Sequence, residues 1–256
     1  MTAIVTTMKT ALIEAWTNRK SFWLQVSFMI ANDLAIVIFW MLFFREVGTV
    51  RGWDTGHVLV LFGVLANVTG ISMGLLANAR RLGQMIADGE LDAVLALPVD
   101  PLLYLLVRRV DTALLGDLVF GPVVFIASGH ANLETAAVFV IVSLCAAAFF
   151  ASFLVVLGSV TLFLGGRGEQ AELGFQALLM LASYPIDLFG GLIKLLLFTA
   201  IPAAFVTGLP TRLLTQFDWG ESAIFLAGSL GSVLLARVVF RAGLAHYRSG
   251  ALWTRA

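Results

Sequence analysis

The chain is dominated by apolar segments that are long enough to cross a lipid bilayer. The first, residues 22–44, would form about 34 Å of helix, which exceeds the roughly 30 Å hydrocarbon core of a membrane. Similar segments follow at 57–78, 110–127, 135–164, 171–184 and 222–239. Because 60% of all residues are hydrophobic and only 12% are charged, the sequence predicts an all-α membrane protein with six transmembrane helices.

The first 21 residues differ from these segments. Their apolar side chains recur at helical spacing, whereas Lys9, Glu14, Arg19 and Lys20 lie largely on the other side. This pattern predicts an amphipathic helix that lies in the membrane interface over residues 1–21. A single transmembrane domain is predicted to follow over 22–256.

Residues 79–109, hereafter the elbow, contain the longest stretch of the sequence that cannot lie in lipid. Gly89 is suited to end the incoming helix, because glycine readily adopts the left-handed cap conformation. Residues 90–97 then read as about two turns of helix. Asp100 and Pro101 suit the N-cap and first position of the next helix. A capped helix with an acidic tip predicts a surface that is presented to a soluble partner.

The positions of Lys and Arg predict the orientation. With a cytoplasmic N-terminus, twelve of the 16 basic residues lie inside and four lie outside, namely Arg45, Arg51, Lys194 and Arg212, as the positive-inside rule requires. A full crossing by residues 185–208 would move the C-terminal arginines outside. We therefore expect 185–208 to form outer re-entrant helices between the fifth and sixth spans. Both termini are then cytoplasmic, in a protein of the inner cell membrane.

Known catalytic motifs are missing from the sequence. There is no GxxxxGK[ST] phosphate loop, the three histidines lack metal-ligand spacing, and the single cysteine, Cys145, excludes an internal disulfide. The formal net charge is zero, which gives no indication of a nucleic-acid partner. We predict no catalytic residue, no metal site and no cofactor on this chain, so energy for any work must come from another subunit.

Among the polar residues inside predicted spans, four are candidates for a substrate path: Asn32, Asp33, Asn67 and Asp117. An ionised aspartate at the centre of a bilayer costs roughly 2.5–3.5 kcal/mol on insertion scales, so it must face protein or water, or be protonated. Two interpretations stay open. These residues line a substrate path, or they form hydrogen-bonded contacts between helices or subunits. Asp111 is expected to pair with Arg108, three residues before it.

Two stretches resemble a known family. The elbow sequence GELDAVLALPVDPLLYLLVRRVD resembles the signature of the six-span permeases of ABC-2-type transporters, in the subgroup whose elbow reads G-E-L-D-x-x-L-x-x-P-x-x-P-L. The stretch SYPIDLFGGLIKLLLFTAIPAAFVTGLP resembles the same subgroup's Tyr-Pro…Ile-Pro-x-A-F segment, through Tyr184, Pro185 and Pro202. The likeness covers nearly the whole chain in order and spacing. It departs at Gly190-Gly191, where bulkier residues would be expected.

This resemblance implies a permease that dimerises with itself or with a homologous permease and contacts membrane lipid. Two cytoplasmic ABC ATPase subunits would carry ATP and Mg²⁺. The coupling helix that docks on the ATPase would use six residues: Gly89, Glu90, Leu91, Asp92, Val94 and Leu95. We expect Leu91, Val94 and Leu95 to fill a groove on the ATPase, although the same face could instead pack on the protein's own spans.

Members of the subgroup are associated with export of drugs and toxic compounds, including cationic ones, along a path on the first, second and fifth spans. Two other classes stay open. An ion- or proton-coupled secondary transporter or channel would use the carboxylates inside the spans as ion sites. A membrane scaffold would use the elbow only to recruit a soluble partner.

Overall fold

The computed structural model describes residues 2–247, which are largely α-helical and contain no β-strand. The helices are α1 (Thr2–Thr17), α2 (Arg19–Val47), α3 (Thr55–Thr69), α4 (Leu82–Ala87), α5 (Glu90–Leu95), α6 (Pro101–Val107), α7 (Asp117–Ala127), α8 (Leu133–Leu164), α9 (Gln170–Ala182), α10 (Gly191–Phe198), α11 (Leu209–Thr215) and α12 (Trp219–Leu244). The predicted basic tail, with Arg248 and Arg255, lies outside the described residues.

Four helices in the described part of the chain are long and apolar enough to cross a membrane: Arg19–Val47, Thr55–Gly74, Leu133–Leu164 and Trp219–Leu244. The second of these consists of α3 and a π-helical turn, Gly70–Gly74. The chain is therefore a multi-pass membrane protein.

The predicted third and fifth spans are shorter than expected. The apolar helix at the third position covers Leu114–Ala127, and α9 has 13 residues, about 20 Å of helix. Pro185 accounts for the early end of α9, because the residue before a proline is disfavoured in the helical conformation. The helix lengths alone therefore support four crossings.

The N-terminal helix and the first span are separated by a cap. The side chain of Asn18 accepts a hydrogen bond from the backbone N–H of Ser21 at 3.2 Å, so α2 begins at Arg19 rather than at residue 22. Helix α1 packs on α6, with Ala11 buried. Helix α2 leaves most of its apolar surface uncovered, including Leu24 and Phe28.

Helices α3 and α7 approach closely because each has a glycine at the contact. A Cβ atom on Gly121 would lie 2.7 Å from the carbonyl oxygen of Gly63, which leaves no room for a larger residue. Further along the same contact, Thr69 on α3 reaches Asp117 at the start of α7. On the other side of the bundle, α8 packs against α4, α9 and α12.

The 185–208 segment doubles back on itself. At its end, the Thr207 hydroxyl donates to the carbonyl oxygen of Ala182 at 2.8 Å, and Gly208 packs against the side chain of Ile186. In between, α10 begins after Gly190, with Gly191 at a φ of +55°. The buried Pro202 precedes a π-helical turn at Ala204–Gly208. The segment thus starts and ends at the same place in the bundle.

Hydrogen bonds fasten this segment to the loop between α2 and α3. The Asp187 carboxylate accepts from Lys194 Nζ at 2.7 Å and from Trp53 Nε1 at 3.2 Å. The Arg51 guanidinium donates to the carbonyl oxygens of Asp187 and Leu188, both at 3.0 Å. Partial burial opposes ionisation of Asp187, but the bonds from Lys194 and Trp53 outweigh it and hold the pKa of this carboxyl below its ordinary value of 3.8.

Candidate functional site

A cavity of about 130 Å³ lies between α2, α3, α7 and α9. Its polar residues are Asn32 and Asp33 on α2, Thr69 on α3, Asp117 on α7 and Ser183 at the end of α9. The rest of the lining is apolar: Met29, Ile36, Phe62, Leu65, Ala66, Leu114, Phe120, Phe175 and Leu179. Within the described residues, no lysine, arginine or histidine lines it. The cavity therefore combines apolar walls with two carboxyl groups.

Asp117 is the most deeply buried of these polar residues, with 1% of its surface exposed. One of its carboxyl oxygens, Oδ2, accepts a hydrogen bond from Thr69 Oγ1 at 2.7 Å. The other, Oδ1, is buried and has no donor among the described residues. Asp33 lines the same cavity from α2, and Asn32 Nδ2 lies 3.4 Å from Asp33 Oδ1. The two acids thus share one cavity of about 130 Å³, Asp33 on α2 and Asp117 on α7.

The structure brings three of the four predicted path residues together, namely Asn32, Asp33 and Asp117. Asn67 is elsewhere: it is buried in the α3–α7 contact, beside Gly121, and does not line the cavity. Sequence reasoning missed Thr69. Its hydroxyl also lies 2.9 Å from the carbonyl oxygen of Ala66 in the same helix. This bond is ordinary for a helical threonine, so no sequence pattern indicates a second role.

The elbow has the local structure that its sequence predicts. Gly89 is left-handed, with a φ of +77°, and α5 starts at the next residue. The Asp100 side chain accepts from the Leu103 N–H at 2.9 Å, and Pro101 is the first residue of α6. Helix α5 ends at Leu95, slightly earlier than expected.

The face of α5 that was expected to dock is largely turned inward. Leu91 is 0% exposed and Val94 is 2% exposed, and both belong to the chain's main apolar core. These two side chains therefore pack on the chain's own helices, the alternative stated above, and their contact with another protein stays a prediction. Exposed apolar surface on the elbow comes instead from Leu95 and Leu97, at 45% and 43%, with Asp92 exposed beside them.

The ion pairs of the elbow also differ from the prediction. Asp111 pairs with Arg80 at 3.1 Å, while Arg108 pairs with Glu90 at 3.3 Å. The predicted Asp111–Arg108 pair is wrong because residues 109–111 are not helical; the Asp111 N–H bonds to the carbonyl oxygen of Gly74 instead. This bond places Asp111 next to Gly74, at the end of the second span.

Comparison with known proteins identifies the family. No curated protein and no solved structure matches the chain. A family model described as ABC-2 family transporter protein matches residues 30–251, which include the cavity, the elbow and the 185–208 segment. Proteins of this family are transmembrane subunits, generally without catalytic activity of their own, that typically work with ABC ATPase subunits. Because the match covers most of its length, this chain belongs to the ABC-2 transporter family.

Proposed function

We propose that this chain is the permease subunit of an ABC exporter, which moves a small, amphipathic, cationic or drug-like compound out of the cell. The observation that carries the proposal is the family match over residues 30–251, since it takes in both the elbow and the cavity. The chain would cross the membrane six times with both termini in the cytoplasm, and 185–208 would dip in from the outer side.

Two ABC ATPase subunits would supply the energy by hydrolysing ATP with Mg²⁺. They would dock on the elbow, where Asp92, Leu95 and Leu97 are exposed. Leu91 and Val94, which are buried in the bundle, would pass the movement of α5 to the helices that pack on it. Helices α4 and α6 both contact α5. This arrangement supports a coupling role for the elbow.

A second permease, identical or homologous, would cover the exposed side of α2. Several large apolar side chains on this helix are largely uncovered, among them Leu24, Phe28 and Phe39, which are 60% or more exposed. Asn32 is exposed on the same helix, so the polar cavity borders the surface that the partner would cover. The substrate path would then run along the dimer interface.

The contents of the cavity support the substrate class. Apolar walls favour the apolar part of a ligand, and carboxyl groups without a basic partner favour its positive charge. Asp33 is the acid nearer the open side, since Asp117 is almost fully buried whereas Asp33 is not. We therefore assign Asp33 to direct contact with the substrate.

The test is export from vesicles that contain the assembled permease–ATPase complex, measured with a panel of cationic and neutral amphipathic dyes. Asp33→Asn removes the charge and keeps the shape. We expect it to abolish export of the cationic dyes while the complex stays intact. Glu46→Gln is the matched control, because Glu46 is an exposed acid at the end of the same helix. Unchanged export together with a weakened dimer would assign Asp33 to a contact between subunits.

The same two carboxyl groups also suit an ion- or proton-coupled transporter, which is the second candidate function. Dependence on ATP separates the two. Export that continues without ATP and follows an imposed proton gradient would favour ion coupling, whereas export that requires the ATPase supports the ABC exporter.

A further inference from the structure

The acids of the cavity have no countercharge among the residues described. A basic group lies beyond the lining: the guanidinium of Arg80 is 5.2 Å from the centre of the Phe175 ring, and Phe175 lines the cavity. That guanidinium already faces Asp111 at 3.1 Å and Glu172 at 4.0 Å. Both of these partners are acids, so neither adds positive charge near the cavity. Nothing from α2, α3, α7 or α9 neutralises the pair inside the cavity.

Two carboxylates that line one apolar cavity of about 130 Å³ repel each other, and desolvation adds to the cost of both charges. A hydrogen bond between two carboxyl groups requires a proton on one of them. One proton would give the buried Oδ1 of Asp117 a partner and leave the pair with a single negative charge. Paired acids in enzymes hold one proton between them for the same reason.

The bond from Thr69 organises the pair. It occupies Oδ2 of Asp117, so Oδ1 is the oxygen left to interact with Asp33. The open side of the cavity is on α2, where Asn32 and Ile36 are exposed. A proton leaving the pair, and a ligand entering, would both use that side.

We propose that Asp33 and Asp117 hold one exchangeable proton and that a monovalent organic cation takes its place when it binds. The inference rests on the proposed function and specifies how its substrate site works. On binding, the O–H bond of the protonated carboxyl breaks and the proton passes to water. The two carboxylates then hold the cation, so the net charge of the cavity is minus one both before and after the exchange.

The exchange makes cation affinity depend on pH. Where the pair carries its proton, each unit of increase in pH strengthens cation binding about tenfold, because one proton is released for each cation bound. Asp117→Asn removes the exchange, since an amide can donate to Asp33 without an added proton. In this variant we expect the cation to bind with little dependence on pH.

The experiment is calorimetric titration of the permease–ATPase complex in lipid nanodiscs with tetramethylammonium, a compact cation that has no titratable proton. Repeating the titration in buffers of different ionisation enthalpy counts the protons released. We expect about one proton per cation for the unmodified protein and for Glu46→Gln, and none for Asp117→Asn. Thr69→Ser, which keeps the hydroxyl, should retain the release.

Each of the other possible results of this titration refutes a particular part of the proposal. Binding without proton release in the unmodified protein overturns the exchange and leaves the exporter intact. Release that persists in a correctly folded Asp117→Asn variant, judged by ATPase binding, also overturns it. Failure to bind tetramethylammonium, with ATP-driven export of neutral dyes preserved, refutes the cation site alone. If the unmodified complex shows no ATP-dependent export, the proposed function itself is refuted.

Discussion

Replacing Leu95 and Leu97 with alanine is the most direct test of how the elbow meets the ATPase. The two side chains are 45% and 43% exposed. Fully burying a leucine side chain is worth roughly 1.5–3 kcal/mol, so covering the exposed fractions of both would contribute about 1.3–2.6 kcal/mol. The double variant should therefore bind the ATPase up to roughly 10- to 80-fold more weakly.

The assay is the dissociation constant of the purified ATPase on permease in nanodiscs, measured beside ATP-driven export. Glu90→Ala is the matched control on the same helix. Its carboxylate is exposed and paired with Arg108, and exposed ion pairs give about 0–1 kcal/mol, so the loss of affinity should be smaller. ATPase affinity and export at the unmodified level in the double leucine variant would refute docking through this surface.

The Leu91→Ala variant tests whether this side chain anchors α5 in the permease itself or docks on the ATPase. Leu91 is 0% exposed, and truncating a buried leucine costs about 2–5 kcal/mol of stability. We expect a lower melting temperature for the permease alone, with the ATPase absent. The Leu95 and Leu97 variants should lose less stability than Leu91→Ala, since nearly half of each side chain is already exposed. Equal melting temperatures for Leu91→Ala and the unmodified protein would contradict the burial of α5.

Three further predictions concern energy, topology and pH. The purified permease, free of ATPase subunits, should hydrolyse no ATP, because it lacks a phosphate loop; turnover that persists would rule out the permease assignment. In a Cys145→Ser background, Leu192→Cys should react with an impermeant thiol reagent only from outside the cell. Arg167→Cys should react only from inside, and the reverse labelling would invert the topology. The Asp187 carboxylate has a lowered pKa, so its contribution to stability is complete above pH 3.8 and is lost as the pH falls through the lower folded value. Asp187→Asn should therefore lower the melting temperature at pH 7 and make it less sensitive to acid than that of the unmodified protein. An unchanged melting temperature would show that the bonds to Lys194 and Trp53 do not stabilise the fold.

Features that depend on neighbours in sequence could be predicted. The left-handed Gly89 and the Asp100–Pro101 start of α6 follow from local conformational preference, and the structure has both. Four spans follow from the length of apolar helix alone. The family likeness, read from the elbow and the Tyr184–Pro185 stretch, is confirmed by the match over residues 30–251.

Features that depend on tertiary contacts could not be predicted in the same way. An apolar helical face such as Leu91 and Val94 must be covered, but its periodicity does not show whether the cover comes from this chain or another. Asp111 forms its ion pair with Arg80, 31 residues earlier in the chain, and not with Arg108, three residues earlier. The meeting of Asp33 with Asp117 required α2 and α7 to be adjacent, and spacing along the chain contains no such information.

The burial of Leu91 and Val94 affects how this permease can change over evolutionary time. Since these two side chains are fixed by the chain's own core, substitutions there are limited by folding whatever ATPase is present. Leu95 and Leu97 are each more than 40% exposed and lie outside that core. A duplicated transporter could therefore acquire a different motor subunit by altering a few surface positions, while the frame that holds them is inherited unchanged.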